Sequence, residues 1–250
     1  MKRAQSILVL GATSAMAQDA VARLASRGAA LFLVGRDAQK LAAVADDARA
    51  RGAASVHTQQ QDLDDTAALE PLIRQADHAL GGLDAALVAH GMLGDNDKSA
   101  RDAALAEQVL HTNFVSAGAA SVSLATLFEG RRSGVLVVIT SVAGDRGRGS
   151  NAVYGASKAG LQALLSGLRN RLFRAGVRVV DVRPGLVDSP MTAGLSMPRA
   201  LVRGPEVVGA VLVDALDGKT GDIVYAPGWW RLVMLGIRGL PEPVFKRLKL

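Results

Sequence analysis

The sequence contains no cysteine among its 250 residues. Disulfide bonds, thiolate metal sites and a cysteine nucleophile are therefore excluded, and the absence fits a reducing compartment. The four histidines are scattered without the spacing of metal ligands, so we expect no metal site. No stretch holds 18 or more consecutive apolar residues, and we therefore expect no membrane-spanning helix.

Long linkers, internal repeats and low-complexity segments are also missing. Hydrophobic residues make up 49% of the chain and charged residues 21%, as expected for a protein with a packed core. A chain of this length suits one large α/β domain better than two small ones. We expect residues 1–228 to form this domain, with residues 229–250 as a basic amphipathic extension of it.

The net charge of +6 is distributed unevenly. Between Trp229 and Leu250 there are five basic residues and one acidic residue, which leaves only +2 for the rest of the chain. A nucleic-acid-binding protein usually spreads basic charge over a folded face with exposed aromatic residues. The body of this chain has no such run, so we expect no nucleic-acid partner.

Short β-branched runs alternate with alanine-rich segments of helical character. The predicted strands span residues 7–10, 31–34, 55–58, 85–89, 135–140, 177–182 and 223–225. The predicted helices span roughly residues 15–27, 38–51, 65–80, 101–130, 152–175 and 205–217. This alternation predicts a Rossmann-type α/β fold, a doubly wound sheet of about seven parallel strands with helices on both faces. In such sheets, ligands bind beyond the carboxyl ends of the strands.

The start of the chain resembles a signal peptide superficially, because the apolar residues 7–12 follow Lys2 and Arg3. We interpret residues 7–12 instead as the first strand, which runs into a glycine turn. On this interpretation we expect a cytoplasmic protein.

The segment GATSAMA, residues 11–17, follows the first predicted strand. A glycine between a strand and a helix lets backbone N–H groups face a phosphate, and the helix N-terminus adds the positive end of its dipole. The usual fingerprint has three glycines, whereas Ala15 and Ala17 occupy the later two positions here. The segment predicts a dinucleotide site, with a tight turn that binds no ligand as the alternative.

Gly35, Arg36 and Asp37 follow the second strand. In NAD-binding proteins an acidic residue at this place takes the ribose 2′-hydroxyl, whereas an arginine accommodates the 2′-phosphate of NADP. We interpret Asp37 as the N-cap of the next helix, so Arg36 favours NADP(H) over NAD(H). Ser14 adds a hydroxyl group for the phosphate.

Asp62 follows the third strand, where a carboxylate can accept a hydrogen bond from the exocyclic amine of adenine. Asp64 lies two residues further on, and we expect it to be the N-cap of the next helix. The two roles use different aspartates, so both can hold.

Ser141 follows the fifth strand, Tyr154 comes thirteen residues later, and Lys158 follows after four more. Residues at i and i+4 share a helix face, so the Lys158 ammonium should lie near the Tyr154 phenol. A nearby positive charge stabilises phenolate, and we expect it to lower the pKa of Tyr154 from about 10 toward the working pH of a general acid. Ser141 can hold the same carbonyl oxygen. A Tyr–Lys pair with this spacing also occurs on exposed helix faces, but the conjunction with Ser141 is more specific.

The sequence resembles the short-chain dehydrogenase/reductase family over essentially its whole length. The matching features are GATSAMA, the Asp62 site, Asn113, the set of Ser141, Tyr154 and Lys158, and PGLVDSPMT from Pro184. The resemblance implies that Tyr154 transfers a proton, that Lys158 lowers its pKa and holds the nicotinamide ribose, and that Ser141 orients the carbonyl. Asn113 would complete the catalytic tetrad by holding a water molecule for proton relay.

The resemblance also implies a set of cofactor contacts, in which the Val187 backbone and Ser189 lie near the carboxamide. The implied cofactor-binding residues are Gly11, Thr13, Ser14, Ala15, Met16, Arg36, Asp62, Leu63, Ala89, Gly91, Tyr154, Lys158, Pro184, Gly185, Val187 and Ser189.

One departure from the family pattern follows the fourth strand. The family's Asn-Asn-Ala-Gly is replaced here by Val88, Ala89, His90 and Gly91. The missing asparagines usually stabilise the sheet, so we interpret the change as structural. His90 would lie near the cofactor ribose, where we expect a hydrogen-bonded filler rather than a functional group.

Three stretches look like a subgroup that includes decaprenylphosphoryl-2-keto-ribose reductases, which act on a lipid-linked sugar. They are VAHGMLGD, TSVAGDRGRGSNAVYGASKAG and the ending from Tyr225. This likeness implies NADPH-dependent reduction of a lipid-linked keto-sugar or another carbonyl compound. The alternatives are a soluble reductase of a 3-oxoacyl thioester or other small ketone, and a non-catalytic NADP-binding sensor or interaction protein.

The ending of the chain predicts two short amphipathic pieces. Residues 229–240 would form a helix of roughly 18 Å, too short to cross a bilayer of about 30 Å. Pro241 and Pro243 interrupt it, and apolar and basic residues then alternate. Basic amphipathic helices with tryptophan lie in the lipid headgroup region, which predicts peripheral contact with the inner face of the membrane. The alternatives are a cover over the substrate cleft and a subunit contact. The family resemblance implies a homodimer or homotetramer formed through helices 101–130 and 152–175.

Overall fold

The computed structural model describes residues 5–195 and 197–248, which contain one parallel sheet of seven strands. The strands are β1 Ser6–Leu10, β2 Ala30–Gly35, β3 Ser55–Gln60, β4 Ala85–Val88, β5 Val135–Ile139, β6 Arg178–Pro184 and β7 Ile223–Ala226. Their order across the sheet is β3-β2-β1-β4-β5-β6-β7. The predicted fold is confirmed, and each predicted strand matches an observed one to within two residues at either end.

Helices cover both faces of this sheet. They are α1 Ala15–Ala25, α2 Ala38–Ala50, α3 Leu69–Ala79, α4 Asn96–Ser99, α5 Ala103–Leu110, α6 Ala117–Arg131, α7 Ala152–Leu172, α8 Pro205–Leu216, α9 Trp230–Gly239 and α10 Glu242–Phe245. The buried apolar side chains of α1, α2 and α8 pack on one face, and those of α3, α6 and α7 pack on the other.

The alternation of side chains along β1 explains why its sequence is apolar throughout. Ile7 and Val9 belong to the core on one face, whereas Leu8 and Leu10 belong to the core on the other face. A strand covered on both sides must be apolar at successive positions, as parallel strands generally are. Because β1 pairs with both β2 and β4, the chain reverses its direction of travel across the sheet between these strands. Such a switch point opens a crevice at the carboxyl ends of the strands.

The predicted helix over residues 101–130 is interrupted in the structure. A π-helical turn over His111–Ser116 joins α5 to α6, and it carries Asn113. The π-turns of proteins concentrate at functional sites. Apolar periodicity does not distinguish such a turn from regular helix, and the sequence therefore predicted one continuous element.

The two predicted helix caps have different outcomes. Asp37 is confirmed as the N-cap of α2, because its carboxylate accepts a hydrogen bond from the Lys40 N–H at 3.0 Å. The cap predicted for Asp64 is wrong. A 3₁₀ turn over Thr66–Ala68 precedes α3, and the Asp64 carboxylate accepts instead from the Thr112 hydroxyl at 2.7 Å.

The C-terminal segment packs against the same chain, next to the end of β5. Trp230 and Met234, on the inner face of α9, are buried and contact Val142. Arg146 donates to the carbonyl oxygens of Ile237 at 2.7 Å and Leu240 at 2.6 Å. A cation at a helix C-terminus interacts favourably with the helix dipole, so Arg146 holds the end of α9.

The same arginine also holds α10. Its second guanidinium nitrogen lies 2.8 Å from the Glu242 carboxylate, and its guanidinium carbon lies 3.7 Å from the centre of the Phe245 ring. Within the described ranges, no helix is both long and apolar enough to cross a membrane. Lys249 and Leu250 at the end of the basic segment lie outside the described residues, as do Lys2 and Arg3 at the start of the chain.

Candidate active site

A continuous cleft runs along the carboxyl ends of the strands and contains nearly all of the predicted site residues. One half is lined by Gly11, Thr13, Ser14, Ala15, Met16, Arg36, Asp62, Leu63, Ala89 and Gly91. The other half is lined by Ser141, Tyr154, Lys158, Pro184, Gly185, Val187 and Ser189. The two halves share Met16, Ala89, His90 and Gly91, so they form one groove.

The turn after β1 requires glycine at its first position. Gly11 has a φ of +83°, and a Cβ placed on it would lie 2.5 Å from the backbone nitrogen of His90. The N–H groups of Gly11 and Ala12 both donate to the Val34 carbonyl, at 3.0 and 2.9 Å. The first N–H groups of α1 have no acceptor within the helix, and they begin at the cleft residues Ala15 and Met16.

The residues after β2 separate the roles of Arg36 and Asp37. Arg36 is exposed at the edge of the cleft. Asp37 is engaged with α2, where its carboxylate caps the helix and lies 3.6 Å from the Lys40 ammonium. The backbone hydrogen bond from Lys40 is the main cause that lowers the pKa of Asp37. The Asp37 carboxylate is therefore used in the helix cap, and Arg36 is the exposed charged residue at the end of β2 that lines the cleft.

Asp62 lies at the same end of the cleft, after β3. One of its carboxylate oxygens accepts a hydrogen bond from the Asp64 N–H at 3.0 Å. A carboxylate has about four acceptor sites, so this contact orients Asp62 and leaves acceptor capacity. Leu63 beside it is buried and forms part of the apolar lining.

Tyr154 and Lys158 lie one turn apart on α7, opposite Ser141. Ser141 and Lys158 are 8% and 4% exposed, so both side chains are shielded from bulk water. The Lys158 ammonium lies 5.9 Å from the centre of the Tyr154 ring and 3.3 Å from the Ile139 carbonyl oxygen. The carboxyl end of β5 and one face of α7 thus bring a hydroxyl, a phenol and an ammonium together.

Burial controls the titration of these groups. It raises the pKa of Tyr154, and the hydrogen bond with Ser141 opposes this shift. The lowered pKa predicted for Tyr154 from the sequence is therefore wrong. Loss of solvent disfavours the charged phenolate, and this effect raises the pKa. Burial also lowers the pKa of Lys158 to about 8, against the attraction of Asp181. At pH 7 Tyr154 is therefore a neutral phenol and Lys158 is still mostly protonated.

Asn113 is fully buried behind the cleft. Its amide nitrogen donates to the Met92 carbonyl and its amide oxygen accepts from the Met92 N–H, both at 2.8 Å. The amide nitrogen also lies 3.2 Å from the Ser157 hydroxyl. In this arrangement Asn113 fixes the loop after β4 against α7, and its predicted role in holding a water molecule stays a prediction.

The loop after β6 is supported by the C-terminal segment. A Cβ on Gly185 would lie 1.8 Å from the indole nitrogen of Trp230, so the indole packs directly against the Gly185 backbone. Gly185 in turn lines the catalytic half of the cleft. Sequence reasoning missed this role of Trp230, and it also missed the holding role of Arg146. The adjacent tryptophans directly after the last strand were the available signal.

A second buried network lies below this loop. Arg183 bridges the carboxylates of Asp181 and Asp145, each at 2.7 Å. The Tyr225 hydroxyl also donates to Asp145 at 2.7 Å. Buried charges require such partners, because an unpaired charge in the interior is strongly destabilising. The network ties β6 and β7 to the segment after Ser141.

Comparisons with known proteins agree with this architecture. Residues 5–199 match the family model described as short chain dehydrogenase. An uncharacterized oxidoreductase of Mycobacterium tuberculosis is 38% identical over 246 residues, which cover 98% of this chain and 97% of the relative. An uncharacterized oxidoreductase of Streptomyces coelicolor is 38% identical over 252 residues, with 98% and 96% covered.

Solved structures show the same fold. Levodione reductase superposes with a TM-score of 0.82 at 23% identity, over 90% of this chain and 97% of the other. A dehydrogenase from Burkholderia cenocepacia, whose structure holds NADP, superposes with a TM-score of 0.80 at 19% identity, over 90% and 94%. The family match and the relatives at 38% identity agree with the geometry of the site. The chain therefore belongs to the short chain dehydrogenases, which are NAD(P)-dependent oxidoreductases.

Proposed function

We propose that the protein reduces a carbonyl group to an alcohol with NADPH, and that Tyr154 donates the proton. The observation that carries this proposal is the position of Ser141, Tyr154 and Lys158 in one groove with the glycine turn of β1. A bound NADPH would supply the hydride in this reaction. The missing Cβ of Gly11 keeps the turn compact beside the first N–H groups of α1.

The protein groups would then act as follows. Ser141 holds the substrate oxygen by a hydrogen bond, and Tyr154 gives its phenolic proton to that oxygen as negative charge develops there. The raised pKa of Tyr154 keeps the proton on the phenol at neutral pH, which is the form required of a donor. The ammonium of Lys158 stabilises the phenolate that remains and is available to the ribose hydroxyls. Asn113 holds the loop after β4 in place for these steps.

The proposed nucleotide contacts follow the two halves of the cleft. Gly11, Thr13, Ser14, Ala15 and Met16 would surround the phosphates, and Asp62 with Leu63 would contact the adenine. Ala89 and Gly91 lie at the junction of the halves. Pro184, Gly185, Val187 and Ser189 would contact the nicotinamide side. Arg36, with Asp37 turned into the α2 cap, supports NADP(H) over NAD(H).

Replacement of Tyr154 by Phe tests the proposed proton donor. We expect kcat/KM for NADPH-dependent carbonyl reduction to fall by about 10²- to 10⁴-fold, because general acid catalysis contributes about that much. Tyr225→Phe is the matched control, since these are the only two tyrosines and Tyr225 hydrogen-bonds Asp145 outside the cleft. Activity within a few-fold of wild type in a folded Tyr154→Phe protein would refute the mechanism.

Replacement of Arg36 by Ala tests the cofactor preference. Loss of a charge-assisted contact to the 2′-phosphate should weaken NADPH binding by about ten- to a hundredfold and leave NADH binding within about twofold. Arg51→Ala, at the far end of α2, is the control for a general change in surface charge. Equal effects of Arg36→Ala on the two dissociation constants would show that Arg36 does not select the cofactor.

We propose an amphiphilic substrate, such as a lipid-linked keto-sugar, that is reached at the surface of an anionic membrane. The outer face of α9 supports this proposal, because Leu232 and Leu235 are 72% and 68% exposed. Arg231 and Arg238 are exposed on the same short helix. Apolar side chains beside basic ones suit the headgroup region of anionic lipid. The likeness to the decaprenylphosphoryl-2-keto-ribose reductases supports the same substrate class, and a soluble small ketone is the competing choice.

The position of this face relative to the site gives the proposal a physical basis. The inner side of α9 places Trp230 against Gly185 in the cleft, while its outer side carries the exposed leucines. A membrane bound to the outer side would therefore lie close to the catalytic half of the groove. We propose residues 229–250 as an extension of the main domain that serves this contact.

Vesicle binding tests the membrane contact. Wild-type protein should bind phosphatidylglycerol vesicles better than phosphatidylcholine vesicles, because the extension is basic. The double variant Leu232→Asp, Leu235→Asp should lose more than tenfold in binding, since each buried leucine contributes roughly 1.5–3 kcal/mol. Ile223→Asp changes an apolar side chain that is 47% exposed and lies outside both the extension and the proposed subunit contact, and it should bind like wild type. Equal binding to both vesicle types would contradict the proposal.

We also propose a homo-oligomer formed through the helical segments of residues 101–130 and 152–175. In the first segment, Val115 is 46% exposed and Val122 is 39% exposed, and Leu110 and Phe114 are each 36% exposed. Exposed apolar patches of this kind mark subunit contacts.

A further inference from the structure

His90 lies where the two halves of the cleft meet, and it lines both of them. Its backbone packs directly behind Gly11, and the loop then continues through Gly91 toward Lys158. His90 is therefore next to the path of any dinucleotide that spans the groove. The proposed reaction gives no role to this imidazole.

One ring nitrogen of His90 has a fixed partner. Nε2 lies 2.9 Å from the Ser116 hydroxyl, and that hydroxyl donates to the Leu63 carbonyl at 2.5 Å. A serine hydroxyl has one hydrogen, and here the carbonyl takes it. The ring must then donate from Nε2, which leaves Nδ1 as an acceptor.

The other ring nitrogen is unpartnered. Nδ1 is buried, and within residues 5–195 and 197–248 it has no hydrogen-bond partner. A buried acceptor without a partner is unfavourable, and such groups are rare in folded proteins unless a ligand or water completes them. The hydrogen bonds of Ser116 fix the tautomer of the ring, with the proton on Nε2 and the free lone pair on Nδ1.

The neighbouring charges keep this acceptor available. Burial, together with the positive charge of Lys158, lowers the pKa of His90 to about 3, and Asp62 opposes the shift. The ring is therefore neutral at physiological pH.

We propose that Nδ1 of His90 accepts a hydrogen bond from a ribose hydroxyl of the bound nucleotide. This inference rests on the proposed use of NADPH and adds a cofactor contact to it. A ribose hydroxyl has the required chemistry because it is a donor, whereas the phosphate oxygens are acceptors and would repel the Nδ1 lone pair. Asp62 on one side and Lys158 on the other place His90 between the ends at which the adenine and nicotinamide halves would bind.

Two substitutions of His90 distinguish the contribution of Nδ1 from that of Nε2. His90→Asn places an amide oxygen where Nδ1 stands but does not reach Ser116. His90→Gln places its terminal amide where Nε2 stands and has no acceptor at the Nδ1 position. Fluorescence titration with NADPH gives the dissociation constant of each variant, and thermal unfolding reports its fold. Ser116→Ala serves as a control that removes the partner of Nε2 and leaves Nδ1 in place, so the proposal predicts NADPH binding within about twofold of wild type.

The proposal predicts that His90→Gln weakens NADPH binding by about three- to tenfold, the effect of one lost neutral hydrogen bond. His90→Asn should stay within about twofold of wild type. Titration with adenosine 2′,5′-bisphosphate identifies the ribose. The same loss with this fragment assigns the contact to the adenine ribose, and no loss with it assigns the contact to the nicotinamide ribose.

A purely structural role for His90 gives the reverse order, with His90→Asn and Ser116→Ala impaired and His90→Gln unaffected. That order, or equal binding by His90→Gln and His90→Asn, overturns the inference while the proposed function stands. Failure of the folded wild-type protein to bind NADPH overturns the proposed cofactor and this contact together.

Discussion

The close approach of two backbone segments at the switch point of the sheet determines the form of the groove. Because β1 pairs with β4, the turn that begins at Gly11 meets the loop that begins at Ala89. A Cβ at Gly11 would lie 2.5 Å from the next residue of that loop, and a Cβ at Gly91 would lie 2.9 Å from the Asn113 amide oxygen. Two glycines therefore let one loop run from the first turn to the catalytic helix. The glycine-turn half and the catalytic half join in one groove because of this contact.

The C-terminal segment depends on the same end of the sheet. Arg146, five residues after Ser141, holds the last carbonyl groups of α9 and contacts α10. The inner face of α9 then places Trp230 under Gly185, in the catalytic half of the groove. The packing of the segment and the position of the loop after β6 are thus coupled through a few direct contacts. The C-terminal segment is therefore packed on the catalytic half of the groove.

The order of strands and helices followed from local patterns, because β-branched runs and amphipathic segments have different periods. The sequence spacing also predicted that Ser141, Tyr154 and Lys158 lie close together. Ser141 follows a strand at the carboxyl edge of the sheet, and residues at i and i+4 share a helix face. The direction of the Tyr154 pKa shift did not follow, because it depends on burial by residues distant in sequence. The π-turn around Asn113 was missed since its apolar pattern is helical. The amphipathic pattern of α9 left its packing open between a membrane surface, a cover over the substrate cleft and a subunit contact, because the pattern does not identify what the apolar face contacts.

A crystal structure of the protein with bound NADP⁺ is the most direct test of the proposed position of the nucleotide in the groove. The account predicts that the 2′-phosphate lies beside Arg36 and that the nicotinamide ribose lies within hydrogen-bond distance of Lys158. The nicotinamide ring should then lie between Tyr154 and the loop at Gly185, with the phosphates at the first turn of α1. A nucleotide bound in the reverse direction, or outside the groove, would contradict the account.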